Sequence, residues 1–426
     1  MNGIVRRLSH LKPFRGLSKQ EFTWVLYDVG NSAYTMLACS LIPIWFKEVA
    51  IGVDGLTSDK ATAYYSLAIA MATIIGALIG PVCGALADRK DWKRRLFIGS
   101  VGVGVVGCLL NGLVTGWMLF LIVYVVTKLG YGASLTIYDS MLGDVTTEER
   151  MDEVSSYGYA WGYIGSCIPF AIALAAYVLG PDMVGVLPGY ISKIIGYGVT
   201  ALWWLAVTLP LLKSYRQKNY RKSGETSIQH TFGQIFLTIK KIVLGDRKVL
   251  LFLLAFFLYI DGVGTIIDNC INIGTDLNLD TVGQVVFLLL TQVVAFGGSL
   301  VFARLSRKYS TTRLISVCIC GYFVLCLYAL TLRTLVHFAI LAFGVGCFQG
   351  SIQSLSRSYY SKIIPADCAG EYFGIYDIFA KGASFLGSLV IAWVKLAGGT
   401  INVAVACLAV FFALGFVLLR ASTRCD

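Results

Sequence analysis

Gly84-Ala85-Leu86-Ala87-Asp88-Arg89-Lys90-Asp91-Trp92-Lys93-Arg94-Arg95 is a dense charged turn wedged between two apolar runs, Ala61 to Ala87 and Leu96 to Val114. Each run is about 20 residues or longer, which at about 1.5 Å per helical residue matches a hydrocarbon thickness of roughly 30 Å. A helix, a short basic turn and a second helix is therefore a membrane hairpin. The same alternation runs outward in both directions. Further apolar runs cover Trp24 to Val49, Trp117 to Gly143, Ser155 to Leu179, Tyr190 to Leu212, Val249 to Asn272, Val282 to Leu305, Arg313 to Leu332, Val336 to Ser356, Phe373 to Leu396 and Ile401 to Leu419, twelve spans in all. A composition of 57% hydrophobic and 14% charged residues agrees, because water-soluble domains carry roughly a quarter charged residues.

The net charge of +11 does not point to a nucleic acid, because the basic residues are sorted by loop. With both termini placed in the cytoplasm, 28 of the 35 Lys and Arg fall on that side and five on the other, with Lys128 and Lys381 inside spans. That asymmetry is the positive-inside rule, and it predicts cytoplasmic termini for this multi-pass chain, whose expected location is the plasma (inner) membrane. Residues 1–22 carry Arg6, Arg7, Lys12, Arg15 and Lys19 without a cleavable apolar segment, so they read as a cytoplasmic tail. Most of the twelve cysteines lie inside apolar runs and lack zinc-type spacing; no metal, disulfide or cofactor is expected.

The longest polar segment, residues 213–248, divides a six-helix bundle at 23–212 from another at 249–420, with a short tail at 421–426. Within it, Phe232, Ile235, Phe236, Ile239, Ile242 and Val243 share a helix face and Lys240 and Lys241 point elsewhere, which predicts an amphipathic helix on the cytoplasmic surface. The halves echo each other. Arg304 to Arg313 repeats the bases of the opening turn without its acid, and acidic residues precede both span five (Glu148 to Glu153) and span eleven (Glu371). Two related bundles enclosing a site is the architecture of many secondary transporters.

Ionisable residues inside spans are costly and mark pathways or paired sites. Here they are Asp28, Lys128, Asp139, Asp261, Asp268, Asp377 and Lys381, the last two one turn apart and expected to pair. Asp28, Asn31, Ser32 and Thr35 share a face of span one, and Asp261, Thr265, Asp268 and Asn272 share a face of span seven. Lys128 stands between Tyr124 and Tyr131, and Gln349, Gln353 and Ser356 form a polar stripe in span ten. Asp28, Asn31, Ser32, Tyr124, Lys128, Tyr131, Asp261, Thr265, Asp268, Gln349 and Gln353 are the candidate substrate residues. Gly84, Asp88, Arg89, Lys93, Arg94 and Asp144 are the candidate gate: an acid at a helix end can accept hydrogen bonds from another helix N-terminus, and Arg89 can pair with Asp144. Gly102-Val-Gly104-Val-Val-Gly107 matches a dinucleotide fingerprint but sits inside a span, where close helix packing explains it. No nucleophile with a base is found at usable spacing, so no enzyme is expected.

Twelve spans, a long central loop and Gly84-x-Leu86-Ala87-Asp88-Arg89 resemble the major facilitator superfamily, whose signature has Gly and Arg where this chain has Asp91 and Trp92. Trp24-x-Leu26-Tyr27-Asp28-x-x-Asn31-Ser32-Ala33-Tyr34, Tyr259-Ile260-Asp261-Gly262-Val263-x-Thr265-Ile266, Gln353 to Tyr359 and Phe373-Gly374-x-Tyr376 resemble its vacuole-effluxer-like branch. The resemblance implies an all-α membrane protein of the major facilitator fold. It also implies alternating access around a cavity lined by spans one, four, seven and ten. Two acids and a lysine suit an amino acid or similar zwitterion, with protons as a possible coupling ion and lipids as surroundings. Sugars or other neutral polar solutes, amphipathic drugs, and a non-transporting sensor or scaffold are the alternatives. A monomer is expected.

Overall fold

The computed structural model describes residues 16–181, 183–221, 228–269, 273–274, 281–382 and 385–425. Arg6, Arg7, Lys12 and Arg15 of the tail, Lys222 of the linker and Asn272 lie outside them. The described elements are helical: α1 Lys19–Lys47, α2 Ser58–Ala87, α3 Trp92–Leu113, α4 Trp117–Ser140, α5 Met151–Val178, α6 Gly189–Ser214, α7 Ile228–Leu244, α8 Arg247–Asp268, α9 Thr281–Leu305, α10 Thr311–Tyr328, α11 Leu335–Ile363, α12 Ala369–Lys381, α13 Phe385–Leu396, α14 Ile401–Cys407 and α15 Ala409–Ser422. Among the described residues, eleven helical segments are long and apolar enough to cross a membrane, and Leu289–Leu305 adds a shorter apolar one.

Local chemistry sets the helix ends. Ser18 and Glu21 form a reciprocal capping box that starts α1. Asp246 accepts the amide of Val249 and starts α8 only two residues after α7 ends. Span eleven, expected as one helix, is two, α12 and α13, divided after Lys381. Span ten runs seven residues beyond its expected end at Ser356, because Arg357 and Lys362 find protein partners instead of lipid.

Two compact units divide the chain. The first holds residues up to Thr146, then Trp161–Glu225 and Asp367–Gly374; the second holds Thr147–Ala160, Thr226–Ala366 and Ile375–Asp426. Each unit therefore contains a short stretch from the other half of the sequence: the first turns of α5 belong to unit 2, and the start of α12 belongs to unit 1. The helix pairings are alike in the two units. In unit 1, α1 packs on α6, α2 on α4, and α3 on both α4 and α6; in unit 2, α8 packs on α15, α9 on α11, and α10 on both α11 and α15. Side chains repeat the scheme. The Tyr27 hydroxyl lies 2.6 Å from Ser134 Oγ, and the Tyr259 hydroxyl lies 2.6 Å from Ser356 Oγ. This alignment sets Asp28 opposite Ile260 and Asp261 opposite Val29, so the two acids are not equivalent positions.

Candidate functional site

The opening turn folds around two buried carboxylates. Asp88, the residue that ends α2, is 1% exposed. One of its oxygens accepts the Gly370 amide at 2.7 Å and the other the Glu371 amide at 2.8 Å, both at the start of α12. The partial positive charge of a helix N-terminus favours an anion there. The backbones meet closely: a Cβ on Gly84 would lie 1.9 Å from the Gly370 carbonyl oxygen, so only glycine fits. Lys93, wholly buried, stands 4.0 Å from Asp88 and 3.4 Å from Asp144, and donates to the Ser140 carbonyl. Burial pushes the Asp88 carboxyl up to about 7, against the opposing pull of Lys93 and the two amides.

Asp144 takes its cation from Lys93; Arg89 lies instead beside Trp92, 5.6 Å from the ring centre. Arg94 donates to the Leu212 carbonyl at 2.7 Å. Asp91 starts α3 with φ of +64°, the left-handed conformation that glycine adopts freely, and the turn closes without a glycine there.

Sequence patterns did not disclose what covers this turn. After α6 the chain runs without helix from Tyr215 to Arg221 along unit 1. The Tyr215 hydroxyl donates to Asp144, as do the amides of Lys218 (3.2 Å) and Asn219 (2.8 Å) and the Asn219 side chain (2.9 Å). Gln217 reaches the Ala87 carbonyl, and the Arg221 amide donates to the Asp88 carbonyl at 2.8 Å. The Arg221 guanidinium then binds the buried Glu371 carboxylate at 2.8 Å. The strap thus touches the Asp144 carboxylate, the Asp88 main-chain carbonyl and, through Glu371, the helix start that Asp88 holds.

Unit 2 carries the counterpart with its charges exchanged. The basic turn between α9 and α10 has no acid of its own, and the start of α5 supplies two. Glu153 pairs with Arg307, and Asp152 accepts Thr311 and Ser358 hydroxyls at 2.6 Å and Lys362 Nζ at 2.8 Å. Arg357, 2% exposed, donates to the Ser155 hydroxyl and carbonyl and lies 4.6 Å from the Tyr159 ring. Neither Asp152 nor Arg357 is among the candidate site residues; the acidic run before span five is the sequence signal for the first, and the Gln353 to Tyr359 stretch is that for the second.

The candidate substrate residues fall into one set per unit. In unit 1, Asp28 and Asn31 are buried and hydrogen-bonded at 3.3 Å, Ser32 is half-buried, and Thr35 meets the Tyr131 hydroxyl at 2.7 Å. Lys128 is half-buried, with its ammonium 5.8 Å from the Tyr124 ring centre and, among the described residues, no carboxylate in salt-bridge range. In unit 2, Asp261 is fully buried and accepts the Gly387 amide at 2.8 Å, inside the first turn of α13. The buried Thr265 hydroxyl sits against Gly387, where a Cβ would meet it at 2.1 Å. Asp261 therefore holds the second half of the divided span, a role its helix-face pattern did not suggest. Asp268 is exposed, and Gln353 donates to the Gln349 carbonyl at 3.1 Å. Lys381 pairs with Asp377 at 2.5 Å.

Comparisons with known proteins agree with this architecture. The model of the family described as vacuole effluxer Atg22 like matches residues 18–149 and 144–424. The MFS-type transporter YxiO of Bacillus subtilis (strain 168) is 37% identical, over 94% of each chain. Autophagy-related protein 22 of Eremothecium gossypii is 24% identical over 82% of this chain and 74% of its own. The solved structure of the major facilitator superfamily transporter FucP in the outward conformation superposes with a TM-score of 0.72, at 15% identity, covering 94% of this chain and 97% of that one. With its twelve-span pattern, paired bundles and whole-length match, this chain is an integral membrane transporter of the major facilitator superfamily and belongs to the vacuole-effluxer-like family within it.

Proposed function

We propose that the solute is an amino acid or a similar zwitterion, moved by secondary active transport with alternating access. The observation that carries this reading is Lys128. It is a cation inside a membrane span, its ammonium lies 5.8 Å from the Tyr124 ring centre, and among the described residues no carboxylate stands in salt-bridge range. An unpaired charge in that setting is costly, and a bound solute's carboxylate supplies the missing counter-charge. Asp28, buried on the facing helix with Asn31, supplies an acceptor for an ammonium group. Asp261 is committed to the start of α13 and serves the helix joint more than the solute.

Proton coupling belongs to the same proposal and rests on the two buried acids. An imposed pH gradient across proteoliposomes then drives flux; indifference to it removes coupling from the account. The basic-residue asymmetry supports an orientation with both termini cytoplasmic. A thermal-stability screen of the purified protein against amino acids, peptides, sugars and nucleosides tests the solute class. Amino acids should stabilise the protein, and Lys128→Ala should abolish the effect. Stabilisation by a sugar alone would overturn the proposal.

A further inference from the structure

We infer that α7 is a docking surface for anionic lipid headgroups, built into the connection between the two halves of the sequence. The helix spans Ile228–Leu244 and buries Ile235 and Ile242, seven residues apart on one face, against unit 2, where it packs on α8. The rest of its described surface is strongly apolar yet uncovered: Phe236 is 68% exposed and Leu244 73%, and Leu237, Ile239 and Val243 are exposed beside them.

Two observations name the occupant. The first is charge. Lys240 and Lys241, both exposed, interleave with these apolar residues, Arg247 follows, and the described part of the helix carries no acid. Asp246 is engaged as the cap of α8. The second is position. Only Gly245 and Asp246 separate α7 from α8, a helix apolar enough to span the bilayer, so α7 is tethered where that span leaves the hydrocarbon. A helix there with apolar side chains and flanking lysines matches an interface with acyl chains below and negative headgroups beside it. The lysines contribute long-range attraction, and Phe236, Ile239 and Val243 contribute burial.

The full-length protein, one copy per nanodisc, tests this by amide hydrogen exchange over residues 234–244. Discs of phosphatidylcholine alone are compared with discs containing one quarter phosphatidylglycerol. Exchange should slow about tenfold or more in the anionic discs. The K240Q/K241Q double variant should lose that difference, as should wild-type protein at high salt. Phe236→Ser should speed exchange in the anionic discs while leaving the α8 amides unchanged, which separates loss of docking from misfolding. Equal exchange in both lipids overturns the inference. So does protection seen only when two copies share a disc, which would make a second chain the occupant.

Discussion

Asp88 is a buried carboxylate whose surroundings shift its titration toward neutral pH. Its carboxyl is raised from an ordinary value of 3.8 to about 7 in the folded protein, with burial as the largest cause. A carboxyl raised on folding binds more protons in the folded state than in the unfolded one. The stability it contributes is complete below pH 3.8 and is lost as pH rises through 7. Thermal denaturation between pH 5 and 8 should therefore show a fall in Tm that Asp88→Asn flattens; a slope unchanged in that variant contradicts the assignment. Asp91 is a second residue-level case. Its left-handed backbone predicts that Asp91→Val lowers Tm, by about 1 to 2 kcal/mol of stability, while Asp91→Gly leaves it unchanged or higher. Equal effects of the two substitutions would show that the conformation carries no strain.

Among elements, the strap from Tyr215 to Arg221 and the divided span set the architecture apart from a plain helical bundle. Asp144→Ala removes the acceptor shared by Tyr215, Lys218, Asn219 and Lys93, and leaves the buried Lys93 without its nearest carboxylate. The expected cost is about 3 to 5 kcal/mol, and limited proteolysis should cut the freed strap within residues 213–221. A strap that stays resistant would mean that other contacts hold it. The helices themselves were legible in sequence, because twenty-residue apolar runs have few readings in a chain this hydrophobic. The strap was not. Tyr215-Arg-Gln-Lys-Asn219 has no periodicity, and its order comes from a carboxylate some 70 residues earlier in the chain. The same holds for Arg357 and Ser155, which meet across about 200 residues without any local pattern. Span eleven reads as continuous because hydropathy registers length and apolarity and is blind to the amide of Gly387 turning to Asp261.

Across the whole molecule the two units repeat one scheme. Both units use the same helix pairings and the same tyrosine–serine bond, yet their charged turns are built in opposite senses. In unit 1 the turn offers an acid to the start of α12, and in unit 2 the start of α5 offers acids to a basic turn. Sequence showed the bases of the second turn and the acids before span five as separate facts; only folding joins them. The candidate solute residues are likewise unequal between the units: among the described residues Lys128 of the first has no carboxylate in salt-bridge range, whereas Lys381 of the second pairs with Asp377. In the proposed function, Lys128 receives the carboxylate of an amino acid. The most direct test is flux of radiolabelled amino acids in proteoliposomes, comparing wild type with Lys128→Met, a variant of similar length that should still fold. Amino acids should cross in the wild type, with flux reduced at least about a hundredfold in Lys128→Met, and neutral sugars should not cross. Flux that survives the substitution, or a wild type that moves sugars and not amino acids, would contradict that role for Lys128.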